Sequence, residues 1–461
     1  MSASAAHHGS DETFDVVVVG LGPGGEELAG RLAQAGLAVA GVEGRLVGGE
    51  CPYWGCVPSK MMIRAANLLA EGRRIDGMAG RSTVEPDWAP VARRIRDEAT
   101  DDWNDVAAAR RLESKGATLV RGWGRLDGPG MVVVGERRLR ARRAVVLNPG
   151  TKSWAPPVPG LAEVPYWTNR EAIETERVPA SLAVLGGGAI GLELGQVFAR
   201  FGSSVTVVEV ADRLLAMEEP ESSSLIGSVL DAEGVAVRTS AQVGSVERDS
   251  QGVRIRLEGA DDVVAERLLV AAGRRADLAA LGLASVGIDE TGRAVVVDPT
   301  MRAGPGLWAI GDVTGVGAFT HVSMYQAAIA AADILGQNPP GADYRALPRV
   351  TFTDPEIGSA GLTEAAARAE GRAVRTAFSP LADSTRGWIH KVGNDGFVKL
   401  VADTDRRVLV GATAAGPSGG EVLGLLALAV HAEVPLDRLR SMILAYPTFH
   451  RAIGAALDQL S

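Results

Sequence analysis

Only two cysteines occur in the chain, and they sit close together in the run Cys51-Pro52-Tyr53-Trp54-Gly55-Cys56. Sulfurs at this spacing can close a small ring with a strained, reducible S–S bond, which is what a redox centre needs. Pro58-Ser59-Lys60 follows, then a helical run from Met61 to Ala70. A thiolate at Cys56, near the start of that helix, gains from the positive end of the helix dipole. The competing readings are two unrelated structural cysteines, half of a zinc site, or an incidental disulfide. Zinc wants four soft ligands and the chain has no other cysteine, so no metal site is expected.

What lies upstream favours redox chemistry. Gly20-Leu21-Gly22-Pro23-Gly24-Gly25 follows the β-branched run Asp15 to Val19 and precedes a helical stretch ending near Gly36. A second short strand, Ala38 to Glu43, closes the unit. The pattern returns 166 residues later: Leu182 to Leu185, then Gly186-Gly187-Gly188-Ala189-Ile190-Gly191, a helix to Phe201, and the strand Val205 to Val208 leading to Glu209. Glu43 and Glu209 each fall twenty-three positions after the first glycine of their turn. Such a turn lets backbone approach a pyrophosphate, the helix behind it favours negative charge, and the acidic residue accepts hydrogen bonds from the ribose. Glu209 would repel a 2′-phosphate, which favours NADH; Arg213, four residues on, keeps NADPH open as the alternative. Two dinucleotide sites in one chain point to two cofactors in electronic contact, of which a flavin is the natural second.

These residues need several domains to carry them. At 461 residues and 46% hydrophobic, the chain has material for about three. Its net charge of -9 is spread along the sequence, so neither nucleic acid nor a membrane surface is expected as a partner. The longest apolar stretch, Val422 to Val430, is interrupted by Gly424 and too short for a bilayer. Met1 to Glu12 lacks the cationic and apolar parts of a secretory signal and is expected to be disordered. Together with the sparse cysteines, this predicts a reducing, cytoplasmic setting. Arg137, Arg138, Arg140, Arg142 and Arg143 run into the apolar Ala144 to Leu147 and read as a solvated approach to a strand. Asp87 to Lys115 reads as one charged, solvated helix used for packing. Pro149 to Pro165 predicts a crossing between domains and Leu268 to Gly273 the crossing back. After Pro348, strands such as Gly396 to Ala402 and the helical Gly420 to His431 predict a third, α+β domain.

Taken together, the motifs resemble those of the class I pyridine nucleotide-disulfide oxidoreductases, among them dihydrolipoamide dehydrogenase, glutathione reductase and mercuric reductase. Gly48-Gly49-Glu50-Cys51 through Cys56-Val57-Pro58-Ser59-Lys60 is similar to their active-site signature. Trp308-Ala309-Ile310-Gly311-Asp312 resembles the second FAD motif, and Phe352-Thr353-Asp354-Pro355-Glu356-Ile357-Gly358 the opening of the dimerisation domain. The resemblance covers nearly the whole chain. It implies an α/β fold with two Rossmann-like dinucleotide-binding domains, for FAD (13–152 and 276–345) and NAD(P) (153–275), and an α+β dimerisation domain (346–461). It also implies a homodimer whose active site is shared between subunits, with FAD lying against Cys56. NAD(P)H reduces the flavin, Cys56 takes up the electrons, and Cys51 attacks the substrate. The implied FAD contacts are Gly20, Gly22, Gly24, Gly25, Glu43, Gly49, Gly150, Asp312 and Thr320. Those implied for the nicotinamide nucleotide are Gly186, Gly188, Gly191, Glu209 and Gly273, while Lys60 and Glu193 pair beside flavin and nicotinamide.

Departures from the family bear on the electron acceptor. The family's carboxy-terminal His-Pro-Thr-x-x-Glu supplies a histidine base and the glutamate that orients it; this chain reads Tyr446-Pro447-Thr448-Phe449-His450-Arg451. A phenol with a reference pKa of about 10 does not take up a proton at neutral pH, though it donates a hydrogen bond. Tyrosine here resembles mercuric reductase, yet no cysteine pair precedes Leu460-Ser461 to hand over mercury. His450 lies one helical turn from Tyr446 if Pro447 opens a helix, and could there stand in part for the missing base; the alternative is an interface histidine with no chemistry. Asn148-Pro149-Gly150 replaces the family's Ala-Thr-Gly, a change expected to touch only a local backbone contact. His321, His390 and His431 are expected to be structural. The expected activity is FAD-dependent oxidation of NAD(P)H through Cys51 and Cys56, with a small thiol disulfide, quinone, metal ion or reactive oxidant as acceptor. The alternatives are a redox-sensing or structural FAD/NAD-binding subunit, a true dihydrolipoamide dehydrogenase, or a mercuric reductase.

Overall fold

The computed structural model describes residues 11–460; the expectation of a disordered, signal-free amino terminus falls mostly on 1–10, outside the described residues. The chain forms two compact units. The first holds the described residues up to Pro58 with Arg94–Ser153 and Arg274–Ala342; the second holds Ser59–Arg93, Trp154–Gly273 and Asp343 onward. The three-domain division stays a proposal.

In the first unit the strand Glu12–Val19 lies at the centre of a sheet, flanked in parallel by Val39–Glu43 and Arg137–Leu147. Val16 to Val19 are buried on both faces, as a continuous β-branched run requires. The helix Pro23–Gln34 starts with proline in its first turn and stops before Gly36. Strand Arg137–Leu147 is exposed where its arginines lie and buried from Ala144 on. Arg137, Arg138 and Arg140 pair with Glu12, Asp127 and Asp11 at 2.7–2.8 Å, so the basic cluster is a solvated strand.

The segment Asp87 to Lys115 is not one helix. Ala89–Arg94 continues as a π-turn over Ile95–Ala99, then Asp101, Asp102 and Trp103 take φ of 49°, 55° and 54° before the helix Val106–Ser114. Asp105 accounts for the break. Its carboxylate accepts from Val47 N at 2.7 Å and from Arg121 at 2.6 and 2.9 Å, contacts far in sequence that helical periodicity does not encode.

The second unit repeats the strand-turn-helix plan with Ser181–Leu185, Ala189–Arg200 and Ser204–Val208 in a four-stranded parallel sheet. Strand Arg267–Val270 belongs to that sheet, so Leu268 to Val270, expected in the crossing back, pair with Ala183 to Leu185 instead; the chain changes units after Gly273. The segment after Pro348 builds a five-stranded antiparallel sheet covered by helices Gly419–His431 and His450–Asp458.

Buried polar groups join these parts of the second unit. Along one face of the Ala189–Arg200 helix, Glu193 accepts from Phe352 N at 2.8 Å, Gln196 exchanges two hydrogen bonds with the Asp354 backbone, and Arg200 reaches the Asp354 carboxylate at 2.9 Å. Lys399 is buried among Glu219, Glu221 and Glu364 at 2.8–3.1 Å, and these carboxylates hold its ammonium above the ordinary lysine value despite burial. Removing one partner of a buried ionic cluster strands the others. Lys399→Met is therefore expected to lower stability by roughly 3–5 kcal/mol in chemical denaturation.

Candidate functional site

The two glycine turns are built alike, and each glycine has its own reason. The first, Gly20 or Gly186, has φ of +93° or +114°, and a methyl group there would lie 2.2 Å from Asn148 O or 2.4 Å from Ala271 O. The last, Gly25 or Gly191, meets the carbonyl of that first glycine, with a methyl only 2.0 or 2.1 Å from it. The middle ones differ. Gly22 and Gly188 have extended backbones that any residue adopts; a methyl at Gly188 would meet nothing within 4 Å, and one at Gly22 only the Asn148 amide nitrogen at 3.4 Å. The protein does not itself require glycine there. Open space at a helix start, beside backbone N–H groups, is the cradle a pyrophosphate fills.

The acidic residues are also equivalent. Glu43 accepts from Leu21 N at 2.8 Å and Arg45 N at 2.7 Å; Glu209 accepts from Gly187 N at 2.6 Å and Ala211 N at 2.7 Å. Each oxygen keeps a second lone pair for a ribose hydroxyl. Burial pushes the Glu43 carboxyl above its ordinary value against the pull of those two amides. Arg213 is engaged by Leu215 O, Ala216 O and Ser223 Oγ at 2.7–3.2 Å.

Further residues of the first unit gather around its turn. Gly49, with φ of +66°, packs on Gly22, and Gly24 packs on Ser323. Gly150 sits at φ +68° and, at the edge of the second unit, Gly273 at +120°, conformations that suit glycine. Asp312 accepts from Thr151 Oγ1 at 2.6 Å, and Arg274 donates to Thr151 O and Oγ1. Thr151 and Arg274 carried no signal in the sequence, since neither belongs to a spaced motif.

Cys51 lies in the short helix Glu50–Tyr53, and Cys56 opens the helix Cys56–Arg73. Both are free thiols. Cys56 Sγ lies 3.4 Å from Thr320 Oγ1, the first residue of the helix Thr320–Ile334. The hydrogen bond between the two sulfurs, then burial, push the Cys51 thiol far up, while Thr320 pulls it down. In the second unit Lys60 Nζ pairs with Glu193 Oε2 at 2.8 Å and lies 4.6 Å from the centre of the Phe352 ring.

The carboxy-terminal expectation needs correction. Pro447 opens no helix: the first helical bonds run from Arg451 N to Thr448 O and from Ala452 N to Phe449 O, so His450 begins its helix and Tyr446 precedes it. Tyr446 is exposed and its hydroxyl donates to Thr385 Oγ1 at 3.3 Å. His450 and Tyr446 therefore share no helical face.

The family model described as pyridine nucleotide-disulphide oxidoreductase matches residues 14–332, and that for the family's dimerisation domain matches 347–457. The chain belongs to the pyridine nucleotide-disulphide oxidoreductase family. It is 32% identical to a dihydrolipoyl dehydrogenase of Thermus scotoductus over 97% of this chain and 98% of that one. It is 31% identical to a mercuric reductase of Bacillus cereus over 96% of this chain and 71% of the relative. The solved Cu(II) complex of the HOCl-induced flavoprotein disulfide reductase RclA from Escherichia coli superposes with a TM-score of 0.85 at 25% identity, covering 98% of this chain and all of that one. The class I resemblance and the α/β fold hold, and the protein is a flavin-dependent pyridine nucleotide-disulfide oxidoreductase. The family binds FAD and uses pyridine nucleotides, and both cradles described above fit such groups. Among the described residues no cluster of His, Cys, Asp and Glu could hold a metal ion, and no helix is long and apolar enough to cross a membrane.

The distinct roles of the glycines separate folding from binding. Gly188→Ala is expected to leave the melting temperature nearly unchanged and to raise KM for the nicotinamide nucleotide about tenfold or more, a loss of at least about 1.4 kcal/mol of binding. Gly186→Ala, at positive φ against a carbonyl, is expected to cost more than about 1 kcal/mol of stability. Thermal melts and steady-state kinetics on the two variants check both.

Proposed function

We propose that this enzyme oxidises NADH and delivers the electron pair through FAD to a Cys51–Cys56 disulfide, which then reduces an acceptor needing no histidine base. The reading is carried by one contrast: the two sulfurs are hydrogen-bonded to each other beside Thr320, while the base position of the family motif holds Tyr446. The Gly20–Gly25 turn, Glu43, Asp312 and Thr320 would hold FAD, which when bound would supply the two-electron relay between nicotinamide and sulfur. Reduction breaks the S–S bond and leaves two sulfurs. Cys51 holds one proton, and the remaining charge rests on Cys56 at the positive end of its helix. Lys60, fixed by Glu193, places a cation one turn along that helix.

For the nucleotide, Glu209 disfavours a 2′-phosphate, and the donors of Arg213 are taken up by its own loop, which supports NADH over NADPH. For the acceptor, an exposed tyrosine donating to Thr385 offers no proton uptake at neutral pH, which weighs against efficient oxidation of dihydrolipoamide. Oxidised small thiols, quinones, soft or redox-active metal ions and reactive oxidants remain, and the Escherichia coli reductase described as HOCl-induced and solved with Cu(II) supports the last two. The enzyme is proposed to act as a homodimer in the cytoplasm. A sensor or structural role is disfavoured by the intact sulfur pair and the Lys60–Glu193 bond.

Anaerobic addition of NADH to the oxidised holoenzyme is expected to expose about two thiols per chain to a thiol reagent; Cys51→Ser and Cys56→Ser are expected to expose no more than their single remaining sulfur, with or without NADH. Flavin bleaching with no new thiol in the wild type would overturn the sulfur route. NADH is expected to exceed NADPH by about tenfold or more in kcat/KM, measured with a quinone or Cu(II) as acceptor.

A further inference from the structure

The side chain of Asn148 lies where three segments of the first unit meet. It is 6% exposed. Its Oδ1 accepts from Ser323 Oγ at 3.1 Å and its Nδ2 donates to Gly20 O at 3.3 Å. A backbone carbonyl can only accept, which fixes the NH2 end of the amide toward Gly20. The Asn148–Ser323 pair fills space that only glycines leave free. A methyl on Gly24 would lie 2.1 Å from Ser323 Oγ, one on Gly25 2.8 Å from Asn148 Nδ2, and one on Gly311 2.7 Å from Asn148 Oδ1. The same Nδ2 is 3.4 Å from the methyl position at Gly22, the glycine that the protein itself does not require. Of its two N–H groups, the one not given to Gly20 has no partner among the described residues.

We infer that Asn148 is a positioning residue for FAD. Its amide braces the carbonyl of the first turn glycine and ties that turn to Ser323, in the first turn of the helix whose leading Thr320 touches Cys56. It also puts an amide nitrogen with an unused N–H beside the opening that receives the pyrophosphate. Alanine at this position leaves the Gly20 carbonyl and the Ser323 hydroxyl without these partners. Aspartate keeps the shape but brings an anion to an anion cradle and removes the donor to Gly20. The inference rests on the FAD assignment and is independent of the acceptor.

The test strips flavin from the holoenzyme and titrates the apoprotein with FAD, followed by quenching of flavin fluorescence. Asn148→Ala is expected to weaken FAD binding about tenfold, the scale of a buried hydrogen-bonding group left unpaired. Ser323→Ala, which retains the amide, is expected to weaken it about threefold. Asn148→Asp is expected to bind more weakly than Asn148→Ala at pH 8 and to regain affinity as pH falls, because the protonated carboxyl again donates to Gly20 O; the wild type stays flat over the same range. A residue that merely fills the core would lower the melting temperature of the apoprotein while FAD affinity and its pH dependence stayed at wild-type values, and that result overturns the inference. If the Asn148 variants do not fold, Ser323→Ala decides it, wild-type affinity counting against. A wild-type apoprotein that takes up no FAD would sink the cofactor assignment itself, a different failure.

Discussion

Each dinucleotide turn depends on two stretches of backbone coming closer than side chains allow. A methyl group on Gly25 or Gly191 would lie about 2 Å from the carbonyl of Gly20 or Gly186, so the helix can begin directly against the end of its strand only with glycine there. That approach fixes the start of each helix, hence the direction of its exposed N–H groups and the place where anionic charge is favoured. The carboxylates of Glu43 and Glu209 close the arrangement from the neighbouring strand through the same pair of backbone amides. The sulfur pair lies downstream of this constraint in the first unit, since the loop carrying Gly49 packs on Gly22 just before Cys51.

The parts of the site legible in the sequence were those whose physics is local. Glycine spacing, the acidic residue one strand later and the cysteine pair each announce themselves within a few dozen residues, and both strand-turn-helix units lie where they were read. The parts that escaped are held by contacts between distant residues. Asn148 looked like a minor backbone variation because its partners, Gly20 and Ser323, are 128 and 175 positions away. The Asp87 to Lys115 segment read as one helix because the carboxylate of Asp105 answers to Val47, 58 positions earlier. At the carboxy terminus a spacing of four between Tyr446 and His450 implied a shared helical face, but the helix starts only at His450. Spacing is informative only once the element that turns it into geometry exists.

The sulfur chemistry follows from an asymmetry within the pair. The hydrogen bond to the neighbouring sulfur, then burial, push the Cys51 thiol up, while Cys56 sits at a helix start beside Thr320. The two sulfurs are thereby distinguished before any acceptor arrives. A family member that oxidises dithiols also needs a group to carry protons to and from the interchange sulfur. With a phenol in that place, the proposed route suits acceptors that need no histidine base.

The polar face of the Ala189–Arg200 helix has a bearing on how such enzymes can be rebuilt. Glu193, Gln196 and Arg200 each give at least one polar atom to the backbone or carboxylate of 352–354, within the segment that opens the antiparallel sheet. The 154–273 portion is consequently no free cassette. A chimera made by exchanging 154–273 must carry matching groups at these three positions, or it will leave the amide of Phe352 and the backbone of Asp354 without these partners and the Asp354 carboxylate with Arg74 alone.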